Sequence, residues 1–141
     1  MSAYIDTSVL GAYYCPEELS GTVDRALGGI EGPTISALSE VEFYSLIAKK
    51  RRLKQLTKAH GLEILELFAT HVSEGFYRRI SLTAEHYAKA RQLIVAPGAV
   101  LHTLEALQLA VALAAGLPLM TADRQLALAA RRHRCKVRLL R

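Results

Sequence analysis

Asp6, Glu42, Glu105 and Asp123 lie far apart in the chain, and each falls where a strand-like run hands over to a helical pattern, or just inside a helix. In an open parallel sheet such handover points collect along one edge, so acids remote in sequence can share one small pocket. Several carboxylates held together cannot all stay ionised without a cation, and an all-oxygen donor set suits Mg2+ or Mn2+ rather than zinc. Singly, each acid has a plainer explanation. Asp6 and Asp123 can cap helices, Glu105 sits in a first turn where the macrodipole favours negative charge, and Glu42 can be one more exposed glutamate. The joint pattern carries more weight, because Tyr-Ile-Asp-Thr-Ser-Val-Leu and Leu-Met-Thr-Ala-Asp-Arg each put a charged group directly after a buried strand. The histidines, His60, His71, His86, His102 and His133, are scattered with no pair at metal-binding spacing.

The elements that must position these acids alternate. Ala3 to Ile5 is a short apolar run stopped by Asp6-Thr7-Ser8, and Val9, Leu10, Ala12 and Tyr13 follow at helical spacing. Pro16 with Glu17 and Glu18 predicts a helix start, and Gly28-Gly29 its stop. Residues 33–35 read as a second strand, after which Ser36 or Ser39 opens a helix that ends near a basic run. A helix is expected from Thr57 to about Ser73, a strand from Phe76 to Leu82, and a helix capped by Thr83 through Ile94. Thr103 is expected to cap a buried helix from Leu104 to Ala115, apolar almost all round after Gln108. Leu117 to Met120 reads as a buried strand, Asp123 as the cap of a helix to about Arg132, and Lys136 to Leu140 as a last strand. Such alternation predicts an α/β fold with a mostly parallel sheet and a site at the carboxyl ends of its strands.

At 141 residues and 51% hydrophobic composition the chain reads as a single soluble domain, 1–141, large enough to bury roughly two-thirds of its unfolded surface. Its net charge of +5 is unevenly spread. Residues 49–58 and 131–141 carry six basic residues each and no acidic one, leaving an acidic remainder. An acidic body with two basic stretches fits a protein that holds cations in one place and a polyanion beside it, although a solvated helix or strand face explains either run alone. Cys15 and Cys135 have no motif spacing, and Asp6 interrupts the N-terminus before a signal-peptide core can form. The most apolar stretch, Leu109 to Met120, is shorter than a membrane span and contains Gly116 and Pro118. These features point to a cytoplasmic protein with reduced thiols and no membrane association.

Four segments in order, Ile5 to Ser8, Ile35 to Phe43, Leu104 to Leu113 and Leu119 to Asp123, resemble those of PIN-domain ribonucleases, and more narrowly the toxins of VapBC-type toxin–antitoxin pairs. The resemblance spans nearly the whole chain. It implies a PIN-like three-layer sandwich, a central sheet flanked by helices, with an acidic cleft binding Mg2+ or Mn2+. Carried over by motif, the catalytic positions are Asp6, Glu42, Glu105 and Asp123, with Asp6, Glu105 and Asp123 as metal ligands. Glu40 and Glu42 stand about 200° apart around a helix, so only one can face a cleft. The family register selects Glu42. The late helix of the family begins with Asp, and Glu105 departs from that by one methylene.

The implied activity is metal-dependent hydrolysis of RNA phosphodiester bonds, leaving a 5′-phosphate and a 3′-hydroxyl. Thr7 and Thr121 are candidate orienting hydroxyls, although helix capping explains them equally well. Lys49, Lys50, Arg51, Arg52, Lys54, Arg131 and Arg132 are candidates for an RNA phosphate track. A small antitoxin protein and a second copy of the chain are the implied partners. The alternative is a catalytically weakened PIN-fold module that binds RNA or protein, with Glu105 marking the loss. A phosphotransfer domain of similar topology is disfavoured, because Ser8 stands where a second acid is needed.

Overall fold

The computed structural model describes residues 2–141. In chain order the elements are β1 (Tyr4–Ile5), α1 (Thr7–Tyr14), α2 (Ser20–Gly28), β2 (Thr34–Ser36), α3 (Ala37–Arg52), α4 (Lys58–Ser73), β3 (Arg78–Ile80), α5 (Ala84–Val95), α6 (Thr103–Ala115), β4 (Leu119–Thr121), α7 (Arg124–Arg132) and β5 (Val137–Leu139). The strands form one sheet in the order β3-β2-β1-β4-β5, every pairing parallel.

Strand alternation sets the layers. Tyr4 lies in register with Leu119, and Ile5 with Met120. Tyr4 and Leu119 therefore face one side and pack with Leu93, Leu109, Val111 and Leu126 from α5, α6 and α7. Ile5 and Met120 face the other side and pack with Leu10, Val23, Phe43, Ile47 and Phe68 from α1 to α4. Strands buried on both faces read as continuous apolar runs, which is why three-residue segments such as Leu119 to Thr121 are fully buried.

The helix boundaries follow local chemistry. The Ser36 side chain caps α3 in a reciprocal box with Ser39, and Thr57 accepts the His60 N–H at 3.0 Å to open α4. Thr83 and His86 form a similar box at α5. Gly116, at φ 65°, closes α6 in the left-handed conformation that only glycine adopts cheaply. Gly11 lets α1 approach α3, since a Cβ there would stand 2.7 Å from Leu46 Cδ2.

Three boundaries differ in kind from the sequence expectation. The helix expected at Pro16 begins at Ser20, because the Ser20 hydroxyl accepts the Glu17 N–H at 2.9 Å and donates back to Ala12 O at 2.7 Å, closing a turn first. The residue capping α6 is His102, and Thr103 is already helical. The strand expected from Phe76 to Leu82 shrinks to Arg78–Ile80, an edge strand with β2 as its one partner. Within α4 the buried stripe is Gly61, Ile64 and Phe68, which leaves Leu62 and Leu67 exposed. Among the described residues no helix is long and apolar enough to cross a membrane.

Candidate active site

From β1 the chain steps outward to β2 and β3, and after α6 it returns to β4 on the other side of β1. The reversal between β1 and β4 leaves a crevice beyond their carboxyl ends, the place where open parallel sheets bind ligands. A cleft of about 220 Å3 lies there, lined by Asp6, Thr7, Ser8, Glu42, Leu104, Glu105, Gln108, Asp123 and Leu126. All four sequence-selected carboxylates stand on its walls, and none of the lining residues is basic.

Asp6 ends β1 and is 5% exposed. Its backbone carbonyl starts α1 by accepting from Val9 N at 3.2 Å, yet its side chain does not cap that helix. The carboxylate instead turns across the sheet edge, where Ser8 Oγ donates to Oδ1 at 2.6 Å and Thr121 Oγ1 donates to Oδ2 at 2.8 Å. Both hydroxyls are held from behind. Ser8 Oγ accepts the Ala122 N–H at 3.0 Å, and Thr121 Oγ1 accepts the Asp123 N–H at 2.9 Å, so the loop after β4 fixes the Asp6 carboxylate. Burial pushes the Asp6 carboxyl up from 3.8 to about 6; the Ser8 and Thr121 hydrogen bonds oppose that rise, and the nearby Asp123 charge adds to it.

Asp123 differs from Asp6. It is half-buried and is a true cap, its Oδ1 accepting from Gln125 N at 2.9 Å and Leu126 N at 3.2 Å. Glu42, in the second turn of α3, is held through Oε1 by Thr7 Oγ1 at 3.1 Å and by Gln108 Nε2. Glu40 points elsewhere and forms a two-point ion pair with Arg79, at 2.8 and 3.0 Å. Glu105 makes no hydrogen bond or ion pair among the described residues.

Donor chemistry in the cleft is compatible with a hard divalent cation: oxygen ligands alone, a buried carboxylate whose ionised form lacks a compensating charge, and no competing Lys or Arg on the walls. Among the described residues, however, no three His, Cys, Asp or Glu side chains come close enough together to form a ready-made metal cage. Three of the four carboxylates are anchored to separate parts of the fold, Asp6 to Ser8 and the β4 edge, Glu42 to α1 and α6, and Asp123 to the start of α7, while Glu105 has no anchor among the described residues. Mg2+ is commonly held by one or two carboxylates, retained waters and a substrate phosphate, and a cleft of this volume has room for that arrangement.

The basic candidates are not brought to the cleft. Lys49, Lys50, Arg51 and Arg52 occupy the last turn of α3, and Arg131 and Arg132 the last turn of α7. At ~1.5 Å per helical residue, Lys49 stands roughly 10 Å along α3 from Glu42. Several have structural work: Lys50 pairs with Glu17 at 3.1 Å, Arg51 packs on Gly61, and Arg132 donates to Gly98 O at 2.8 Å. As a group they also suit the negative C-terminal ends of their helices. Lys54 follows α3 in the left-handed region, at φ 57°.

Two cleft residues carry more of the geometry than their sequence context suggested. Ser8 reads as a capping residue but serves as the hinge between Asp6 and the β4 loop. Gln108 is 3% exposed inside an otherwise apolar stretch of α6 and reaches both Glu42 and Thr7. The signal for Gln108 was present, since it is a polar residue one turn after Glu105 and so on the same helix face.

Residues 3–132 match the PIN domain family, and the chain belongs to it. Similar solved structures include VapC20 of Mycobacterium tuberculosis, described as a sarcin-ricin loop cleaving toxin, with a TM-score of 0.70 and 18% identity over 90% of this chain and 94% of that one. VapBC2 from Rickettsia felis, bound to a DNA fragment from its promoter, gives a TM-score of 0.71 and 14% identity over 100% of both chains. FitAcB from Neisseria gonorrhoeae gives 0.69 and 17% identity over 97% of this chain and 96% of that one. At such identities the likeness is one of fold. No curated protein sequence matches the chain.

Proposed function

We propose that this PIN domain is a divalent-metal-dependent endoribonuclease, the toxin of a toxin–antitoxin pair, acting in the cytoplasm. The observation that carries the reading is the buried Asp6 carboxylate at the sheet's switch point, lining a cleft whose other polar walls are Thr7, Ser8, Glu42, Glu105, Gln108 and Asp123 and which holds no basic residue. An enzyme that hydrolyses phosphodiesters without a cationic side chain at the scissile phosphate requires positive charge from elsewhere.

In this reading one or two of Asp6, Glu105 and Asp123 would hold Mg2+ or Mn2+ directly, with water and the substrate phosphate completing its shell. That cation supplies charge neutralisation at the phosphate and a more acidic water. Glu42, with Oε1 fixed by Thr7 and Gln108, presents Oε2 to the cleft as the proton acceptor for the attacking water. Ser8 and Thr121 keep Asp6 from rotating, a role that needs hydroxyls to donate and the β4 loop to hold them. The basic ends of α3 and α7 hold phosphates that flank the cut. An antitoxin that closes the cleft with an Arg or Lys would replace the cation's charge, and solved relatives described as VapBC and FitAB assemblies support such a partner. A homodimer follows from the family resemblance alone.

The ends of the RNA products test the reaction. Attack by water leaves a 5′-phosphate and a 3′-hydroxyl. A 2′,3′-cyclic phosphate would mean that the ribose hydroxyl is the nucleophile, which would overturn the roles assigned to the carboxylates.

A further inference from the structure

We infer that Gln108 is a positioning residue of the cleft, and that a buried chain of hydroxyls running from the N-terminus of α3 through Tyr4 locks its amide so that it can only donate to Glu42. The inference rests on the nuclease reading and deepens it.

Residues 106–112 of α6 are buried, and Gln108 is the one polar side chain among them. An apolar residue would fill that space without needing three partners. The Gln108 amide instead contacts Tyr4 Oη through Oε1, Glu42 Oε1 through Nε2, and Thr7 Oγ1 through Nε2 at 3.3 Å.

The direction of the amide follows from donor chemistry. A carboxylate can only accept, so the NH2 group must face Glu42, and the carbonyl oxygen must face Tyr4. Tyr4 therefore has to donate. The Tyr4 oxygen lies 2.8 Å from Ser36 Oγ and 3.3 Å from Ser39 Oγ, the two side chains that form the α3 capping box. The box that starts α3 thus also orients Tyr4, Tyr4 orients Gln108, and Gln108 fixes a carboxylate in the second turn of α3. Glu42 is left with Oε1 engaged and Oε2 available.

A positioning role differs from a packing role in what it changes. Gln108→Met keeps length and volume but removes all three amide contacts, while Tyr4 retains its serine partners, so the variant is expected to fold with an unchanged circular dichroism spectrum. Single-turnover cleavage of structured RNA with Mn2+ should then show kcat reduced about tenfold with KM within about twofold. Tyr4→Phe frees the amide to flip and should give a smaller loss, again in kcat. Because Gln108 acts through Glu42, adding Gln108→Met to Glu42→Gln should cost nothing further. A folded Gln108→Met enzyme with the wild-type rate, or a loss that persists in full in the Glu42→Gln background, overturns the inference. The Asp6→Asn control separates the two failures. Inactive Asp6→Asn beside fully active Gln108→Met sinks the positioning role alone, whereas active Asp6→Asn sinks the nuclease reading and this role with it.

Discussion

Replacing Asp6 with Asn should make the metal-free protein more stable while removing its activity. The folded state holds the Asp6 proton more tightly than the unfolded chain, because burial raises the carboxyl from 3.8 to about 6. Where a folded-state pKa is raised in this way, the unfolded state binds fewer protons between those two values, so stability falls as pH rises through that window. Above it the ionised, buried carboxylate costs up to about 3 kcal/mol, at ~1.36 kcal/mol per pKa unit. Asn cannot ionise, so it escapes this cost. It also sets an NH2 donor against the Ser8 or Thr121 hydroxyl that now donates, forcing that hydroxyl to reorient, which reduces the expected gain to about 1–2 kcal/mol. Urea unfolding with EDTA present, at about pH 7.5 and at about pH 4, measures both the size and the pH dependence. The variant should be the more stable form at the higher pH and lose that advantage at the lower one. Mn2+ should then stabilise the wild type and leave Asp6→Asn unmoved. An Asp6→Asn protein less stable than wild type in EDTA at neutral pH would refute the reasoning that the buried charge is uncompensated.

Five other substitutions probe separate links. Glu42→Gln should lower the cleavage rate by about 10²-fold or more, to a residual that remains measurable, whereas Glu40→Gln, which breaks a pair with Arg79, should leave the rate unchanged and cost at most about 1 kcal/mol in a thermal melt. Glu105→Ala removes a side chain without partners, so stability in EDTA should stay within about 0.5 kcal/mol while the Mn2+-dependent rate falls. Thr121→Val deletes the hydroxyl between Asp6 and the Asp123 N–H and should destabilise by about 1–2 kcal/mol in denaturant titrations. Gly116→Ala forces a Cβ into the left-handed region at the end of α6, with an expected loss of about 1 kcal/mol by the same measurement.

The alternation of strand and helix was legible because buried runs such as Leu119 to Met120 and caps such as Ser36, Thr57, Thr83 and Asp123 are local signals. The four cleft carboxylates were likewise marked by position, each near the start of a helix on the carboxyl edge of the sheet. What Asp6 does there was not legible. Its sequence context is that of a cap, and only the pairing of β1 with β4 brings Thr121 near enough to hold one carboxylate oxygen while Ser8 holds the other. The Pro16 helix start was misplaced for a comparable reason, since Ser20 spends its hydroxyl on Ala12 and Cys15 of the preceding segment. The basic run at residues 49–52 reads as a candidate phosphate track, and α3 sets it roughly 10 Å along the helix from Glu42, outside the walls of the cleft. Gln108 was passed over because a single polar residue in an apolar helix gains meaning only when Tyr4 and Glu42 are seen on either side of it.

The most direct test is the rate of RNA cleavage by wild type and Asp6→Asn from matched preparations, first with Mn2+ and then with excess EDTA. Cleavage by the wild type that EDTA stops and that Asp6→Asn never shows is the predicted result. Equal cleavage by the two proteins, or cleavage by the wild type that survives the chelator, would contradict a metal-dependent acidic cleft.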